Sequence, residues 1–188
     1  MTGPAAFDGP NLHALLALFP ASDDIHRYDI VAAEQVPIPY HGLLVHEHHM
    51  TVTVEAYHRD RVNVQVLRRH HEDNIYARKI LLTLAGSGRV VQYGIVRVDL
   101  SCCSPEVAAE IVAARAPFGR ILIEHNVMRR IEPTTFLRIV PGTAMRGWFG
   151  LTKPEPTYGR LAYIHCDDKP AVELLEIVVP EDSSIRAR

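Results

Sequence analysis

The chain has 188 residues, long enough for one domain with a proper core. Hydrophobic residues make up 47%, charged residues 22% and the formal net charge is −2, which argues against a general nucleic-acid-binding surface. No apolar run reaches the roughly 20 residues of a membrane span. No basic segment followed by an apolar one marks a signal peptide, so the cytoplasm is the expected location. Cys102 and Cys103 are adjacent and Cys166 stands apart. That odd, sparse set argues against a disulfide framework and for a reducing compartment.

Taken in order, residues 1–10 read as a loose tail. Asn11 is placed to cap a short helix over 12–19, which Pro20 ends. Residues 22–40 carry no clear period, and Pro37 and Pro39 mark an extended connection. Another short element is expected to begin within 43–47. From Met50 the period becomes two: Val52, Val54 and Ala56 alternate with Thr51, Thr53 and Glu55. After a turn at 58–60, Val62, Val64 and Val66 alternate with Asn63 and Gln65. The pattern predicts a hairpin with one apolar face. A strand over 74–84 follows, ended by Gly86-Ser87-Gly88, and 90–100 supplies the next. Four successive strands on short turns imply an antiparallel meander.

Ser104, Pro105 and Glu106 mark a helix start: a hydroxyl cap, proline in the first turn, and an acid at the positive dipole end. That helix should run to about Arg115. Residues 117–120 interrupt, 121–125 read as a second short helix, and 129–140 as a long strand. The Gly- and Pro-rich stretch 141–159 is expected to be a loop or lid carrying Trp148 and Phe149. Residues 160–165 and 171–179 form a last hairpin around 167–170, and 183–188 are a tail. No repeat or linker divides the chain. The fold class is α+β: a single domain spanning 1–188, an antiparallel sheet of about six strands, and helices over one face.

Two charged residues break apolar rows. In the strand 74–84, Tyr76, Arg78, Ile80 and Leu82 share a face, while Ala77, Lys79 and Leu81 share the other. Arg78 therefore points inward, where a guanidinium needs an anion. In the last strand, Glu176 shares a face with Val172, Leu174 and Val178, and Glu173 falls opposite. Two readings stand at this point. Either Arg78 and Glu176 pair with each other or one of the strands faces solvent, or a small polar ligand bridges them, its carboxylate on Arg78 and a hydroxyl on Glu176.

The run His46-Glu47-His48-His49-Met50 invites a metal reading. The zinc-protease helix needs histidine where Met50 stands, and no Cys or carboxylate pattern completes a ligand set, so no metal is expected. Phosphate-loop and nucleophile-elbow motifs are absent. No nucleotide cofactor and no covalent intermediate follow.

Four stretches, in order, carry a resemblance. They are His49-Met50-Thr51, Tyr76-Ala77-Arg78-Lys79-Ile80-Leu81-Leu82, Pro117-Phe118-Gly119-Arg120-Ile121-Leu122, and the segment 169–180 around Glu176. Together they resemble the chorismate pyruvate-lyase family, which makes 4-hydroxybenzoate. The resemblance implies an antiparallel sheet with helical flaps over a buried ligand. It implies a cofactor-independent lyase converting chorismate to 4-hydroxybenzoate and pyruvate, feeding ubiquinone-type or other phenolic pathways. Arg78 would hold the ring carboxylate and Glu176 the hydroxyl end, as catalytic residues. Met50 and Phe118 would line the substrate pocket, where main-chain groups contribute. Phe118 stands where the family often has leucine, which would narrow the pocket. A second cation for the side-chain carboxylate is expected, with Arg68, Arg69, Arg120 and Arg160 as candidates. The rival reading is an aromatic-acid-binding effector domain of the same fold. The stretch before Met50 is expected to be too short for the DNA-binding domain such regulators carry.

Overall fold

A computed structural model describes residues 10–20, 23–127, 129–166 and 169–181. Seven strands form one antiparallel sheet: β1 (Ile25–Val31), β2 (Val62–Glu72), β3 (Ile75–Leu84), β4 (Val90–Asp99), β5 (Arg129–Pro141), β6 (Thr157–Cys166) and β7 (Lys169–Val178). Their order is β1-β5-β6-β7-β4-β3-β2. The last strand thus inserts between two antiparallel sets, β2-β3-β4 and β1-β5-β6. This makes β7 central, and its residues from Ala171 to Val179 are all buried.

Three expectations need correction. Residues 50–58 are not a strand but helix α3 (Met50–His58). Met50, Thr51 and Val54 are its buried residues, at helical spacing, while Val52 is 48% exposed. The β-branched alternation suggested a strand, but packing on the sheet selects the helix. Consequently the meander holds three strands, β2 to β4, not four. Residues 22–40 hold an unforeseen strand, β1, on one edge of the sheet, paired only with β5. Its Ile30 is largely solvent-exposed, so no alternation announced it.

Helices also cover both faces, where one was expected. On one side lie α1 (Leu12–Ala17) and α6 (Thr143–Phe149), packed with Leu81, Tyr93, Ile95, Leu175 and Ile177. Asn11 caps α1 by accepting from the Ala14 amide at 3.2 Å. The expected lid over 141–159 is therefore in part a helix, and α6 buries Met145 and Phe149 in the core. On this face Lys79 pairs with Asp24, which also accepts from the Tyr93 hydroxyl at 2.8 Å. The Lys79 ammonium sits 5.5 Å from the Phe19 ring centroid and 5.9 Å from that of Trp148.

The other face carries α2 (Tyr40–Leu44), α3, α4 (Pro105–Ala113) and α5 (Phe118–Glu124). Ser104 caps α4 through the Val107 amide, with Pro105 in the first turn, as its residues dictate. Helix α5 begins at Phe118, three residues before the expected start, directly after Pro117. Phe118 and Gly119 therefore stand in its first turn. The turn residues 167–168 of the expected last hairpin, and most of the two expected tails, lie outside the described residues.

Candidate functional site

Between the sheet and this second helical layer lies a small, partly open cavity. Its floor is the even-numbered face of the central strands: Arg78, Ile80 and Leu82 from β3, Gln92, Gly94 and Val96 from β4, Leu174 and Glu176 from β7. Its roof is the first turn of α3, with His49, Met50 and Thr51, and the first turn of α5, with Pro117, Phe118 and Gly119. Arg78, Glu176, Met50 and Phe118, singled out from four separated stretches, all line this one cavity.

Register sets the spacing. Arg78 pairs with Val96, and Val96 with Leu174; one pair further along, Ile80 faces Gly94, Gly94 faces Glu176, and Glu176 faces Arg160. Arg78 and Glu176 are therefore two strands and one same-face step apart, roughly 12 Å between Cα atoms from standard sheet dimensions. Gly94 lies between, and its missing side chain leaves room above the floor.

Arg78 is 1% exposed. Its Nη2 donates to the Ala116 carbonyl at 3.1 Å, while Nε and Nη1 have no hydrogen-bond partner among the described residues. Burial pulls the guanidinium pKa below its ordinary value, and the neighbouring Tyr76 hydroxyl opposes this. Neither α3 nor α5 has a side-chain cap. Two uncapped positive dipole ends thus share the cavity wall with a guanidinium that keeps two donors unused. This arrangement suits a carboxylate, which accepts parallel charge-assisted bonds from arginine.

Glu176 and Arg78 do not pair with each other. Glu176 accepts from Arg160 Nε at 2.7 Å. Arg160 is fully buried and spends its remaining donors on the loop before α3. Nη1 reaches the Leu44 carbonyl at 3.0 Å and the His46 carbonyl at 2.7 Å, and Nη2 the His48 carbonyl at 3.1 Å. One guanidinium thus fixes the carboxylate at the far end of the cavity and pins down the loop leading to the roof.

The histidine run has a structural assignment. The His46 ring contacts the Leu43 carbonyl at 2.7 Å and stacks on His48 at 5.5 Å between centroids. Burial first, then the Arg160 charge, lowers its pKa to about 4. His49 sits between the cavity and an outer groove lined by Glu47, His48, Val52 and Arg130, among others. Among the described residues no three His, Cys, Asp or Glu side chains gather as a metal site.

The four candidates for a second cation do not line the cavity. Arg120 is bound to Glu55, Arg160 is committed to Glu176, and Arg68 and Arg69 are exposed on β2. Sequence reasoning missed Gln92 and Gly94. The signal was available: Gln92 is a polar residue in the row Gly94, Val96, Val98, the kind of break that marked Arg78.

The sheet order and the helical layer over a buried pocket define the chorismate lyase-like fold, which is also that of effector-binding domains in transcription regulators. Among solved structures the chain is similar to gene product SA0254 from Staphylococcus aureus subsp. aureus N315. The TM-score is 0.50 at 10% identity, covering 72% of this chain and 90% of that one. It is likewise similar to PhnF from Mycobacterium smegmatis, with TM-score 0.50 and 12% identity over 70% of this chain; it spans only 63% of PhnF. The effector domain of PhnF alone gives a TM-score of 0.48 at 12% identity, over 70% of this chain and 88% of that domain. At such identities these likenesses establish the fold alone. No protein-family model and no curated protein sequence matches the chain. Among the described residues no helix is long and apolar enough to cross a membrane.

Proposed function

We propose that residues 1–188 form one domain whose cavity binds a ring carboxylate, and that the chain is a cofactor-independent chorismate pyruvate-lyase of the cytoplasm. The observation that carries this reading is Arg78: a buried guanidinium with two unused donors, beside two uncapped helix starts, on an otherwise largely apolar cavity. The ring carboxylate takes Arg78, with the main-chain amides at Met50 and Phe118 within the same wall. The ring lies over Gly94, and its hydroxyl meets Glu176, held in place by Arg160.

The chemistry needs no cofactor. The bond between the ring and the enolpyruvyl oxygen breaks, and the hydrogen on the hydroxyl-bearing carbon leaves as a proton. The enolpyruvate takes up a proton to become pyruvate, and the ring becomes aromatic. Aromatisation drives the step. The protein's part is to hold the reactive conformer and to stabilise charge on the departing enolate.

A second reading, a non-catalytic sensor of an aromatic acid, is favoured by one specific feature. Arg78 is the sole Lys or Arg on the cavity wall among the described residues, which suits a monoanion better than the chorismate dianion. One assay separates the two. The protein is incubated with chorismate, pyruvate is followed with a coupled dehydrogenase, and the aromatic product is identified by chromatography. The lyase reading predicts equal amounts of pyruvate and 4-hydroxybenzoate. Tight 4-hydroxybenzoate binding with no pyruvate, at high protein concentration, would establish the sensor instead.

A further inference from the structure

Gln92 is a buried amide whose side-chain oxygen no described part of the fold uses. It is 3% exposed, it lines the cavity, and its Oε1 has no hydrogen-bond partner. Its neighbours across the sheet are Leu82 on β3 and Val178 on β7, neither of which offers a polar side chain. Leaving a buried amide oxygen unbonded is unfavourable, and an apolar residue in this row would remove the penalty. The position is therefore better explained by a bound group than by folding.

Register says where that group lies. Gln92 stands two residues before Gly94, and Gly94 pairs with Glu176. Gln92 and Glu176 are thus diagonal neighbours on one face, with Cβ atoms roughly 7 Å apart by standard sheet geometry. Both are at the end of the cavity away from Arg78. Arg160 occupies Glu176 Oε2 and sets the carboxylate's orientation. The far end then offers two separate polar groups on either side of the open space at Gly94.

We infer that Gln92 is a specificity-determining residue and that the ligand carries two oxygen functions on adjacent carbons at the end of the ring opposite its carboxylate. One faces Glu176 and the other faces the Gln92 amide. The amide accepts from a hydroxyl through Oε1 or donates to an ether oxygen through Nε2. A ring carboxylate with neighbouring hydroxyl and enol-ether oxygens belongs to this class, so the inference rests on the proposed function and narrows it.

The test compares 4-hydroxybenzoate with 3,4-dihydroxybenzoate by isothermal titration, in the wild type and in Gln92→Leu. The wild type should bind the dihydroxy acid about three- to tenfold more tightly, the worth of one neutral hydrogen bond. Gln92→Leu should erase that preference, and without ligand it should melt no lower than the wild type because an unbonded polar group has gone. Equal binding of the two acids by the wild type, or a preference that survives in Gln92→Leu, overturns the inference while leaving the Arg78 reading intact. If neither acid binds the wild type, the proposed function fails and this inference with it.

Discussion

Replacing Arg78 by methionine should stabilise the protein and destroy its ligand binding. The side chain is buried, and its one hydrogen bond is to the Ala116 carbonyl. A buried ion without an anion costs several kcal/mol in real proteins. The bond to Ala116 returns about 1.5–3 kcal/mol, as bonds to charged donors do. Methionine fills a similar volume and carries no charge, but leaves the Ala116 carbonyl unbonded. The net expectation is a gain of about 1–2 kcal/mol, and at about 2–4 °C per kcal/mol for a chain of this size a melting temperature roughly 2–8 °C higher. Binding moves the other way. Losing two charge-assisted bonds at about 1.5–3 kcal/mol each should weaken 4-hydroxybenzoate at least about a hundredfold. Differential scanning calorimetry with and without ligand, together with titration calorimetry, reads both quantities. A variant that melts lower and still binds the acid with wild-type affinity would refute the reasoning, because Arg78 would then be a structural cation with an unrecognised partner.

Other perturbations follow from the same geometry. Arg160→Ala removes the partner of Glu176 and strips three backbone carbonyls of their donor. Breaking a buried pair of this kind costs about 3–5 kcal/mol, measurable by urea unfolding. Arg160→Lys should recover only part of it, since an ammonium cannot reproduce the planar fork; full recovery would contradict the role of that fork in holding both Glu176 and the loop before α3. His46 makes an acid-sensitive contribution. Its folded pKa of about 4 lies below the ordinary 6.5, so the unfolded chain binds the proton first. The stability it contributes is complete above pH 6.5 and is lost as pH falls from there toward 4. His46→Gln should flatten unfolding free energy across that window, and an unchanged slope would assign the acid sensitivity to other groups. On the opposite face, Lys79→Met leaves Asp24 buried beside Tyr93 without its cation. It should cost about 3–5 kcal/mol, and the double variant Lys79→Met with Asp24→Leu should recover much of that by chemical denaturation.

What the sequence revealed depended on whether one strand or two was needed to see it. Arg78 and Glu176 were legible because a period of two assigns each side chain to a face without knowledge of its neighbours. Glu176's true partner was not legible, because the Arg160–Glu176 pairing exists only once β6 lies beside β7 in a particular register. The same limit hid the central place of β7, which follows from sheet order and not from any local pattern. Helix α3 failed for a different reason. Its threonines and valines favour a strand, and the helical spacing of Met50 and Val54 is only two residues deep. The misreading mattered for the site, since a strand there would not have supplied an uncapped helix start to the roof. Edge strand β1 was missed because, exposed along much of its length, it never alternates cleanly.

The strongest argument that the cavity holds an anion comes from how the protein treats four other buried and half-buried cations. Lys79 is matched by Asp24, Arg97 by Glu173, Arg120 by Glu55 and Arg160 by Glu176. Glu173 shows the cost of such burial directly: its pKa is raised by desolvation, although Arg97 opposes the rise. In each case a carboxylate from a neighbouring element answers the charge. Arg78, 1% exposed and beside the Tyr76 hydroxyl, has a carbonyl on one nitrogen and, among the described residues, no carboxylate answering its charge. The contrast between these four pairs and Arg78, which opens onto a cavity roofed by two helix starts, supports the proposed reading of an anion that arrives from outside. The charge of that anion is constrained as well. With Arg160 neutralised by Glu176, one guanidinium and two partial dipole charges remain. That suits one carboxylate held firmly at the Arg78 end, with any second carboxylate left toward solvent or expelled during reaction.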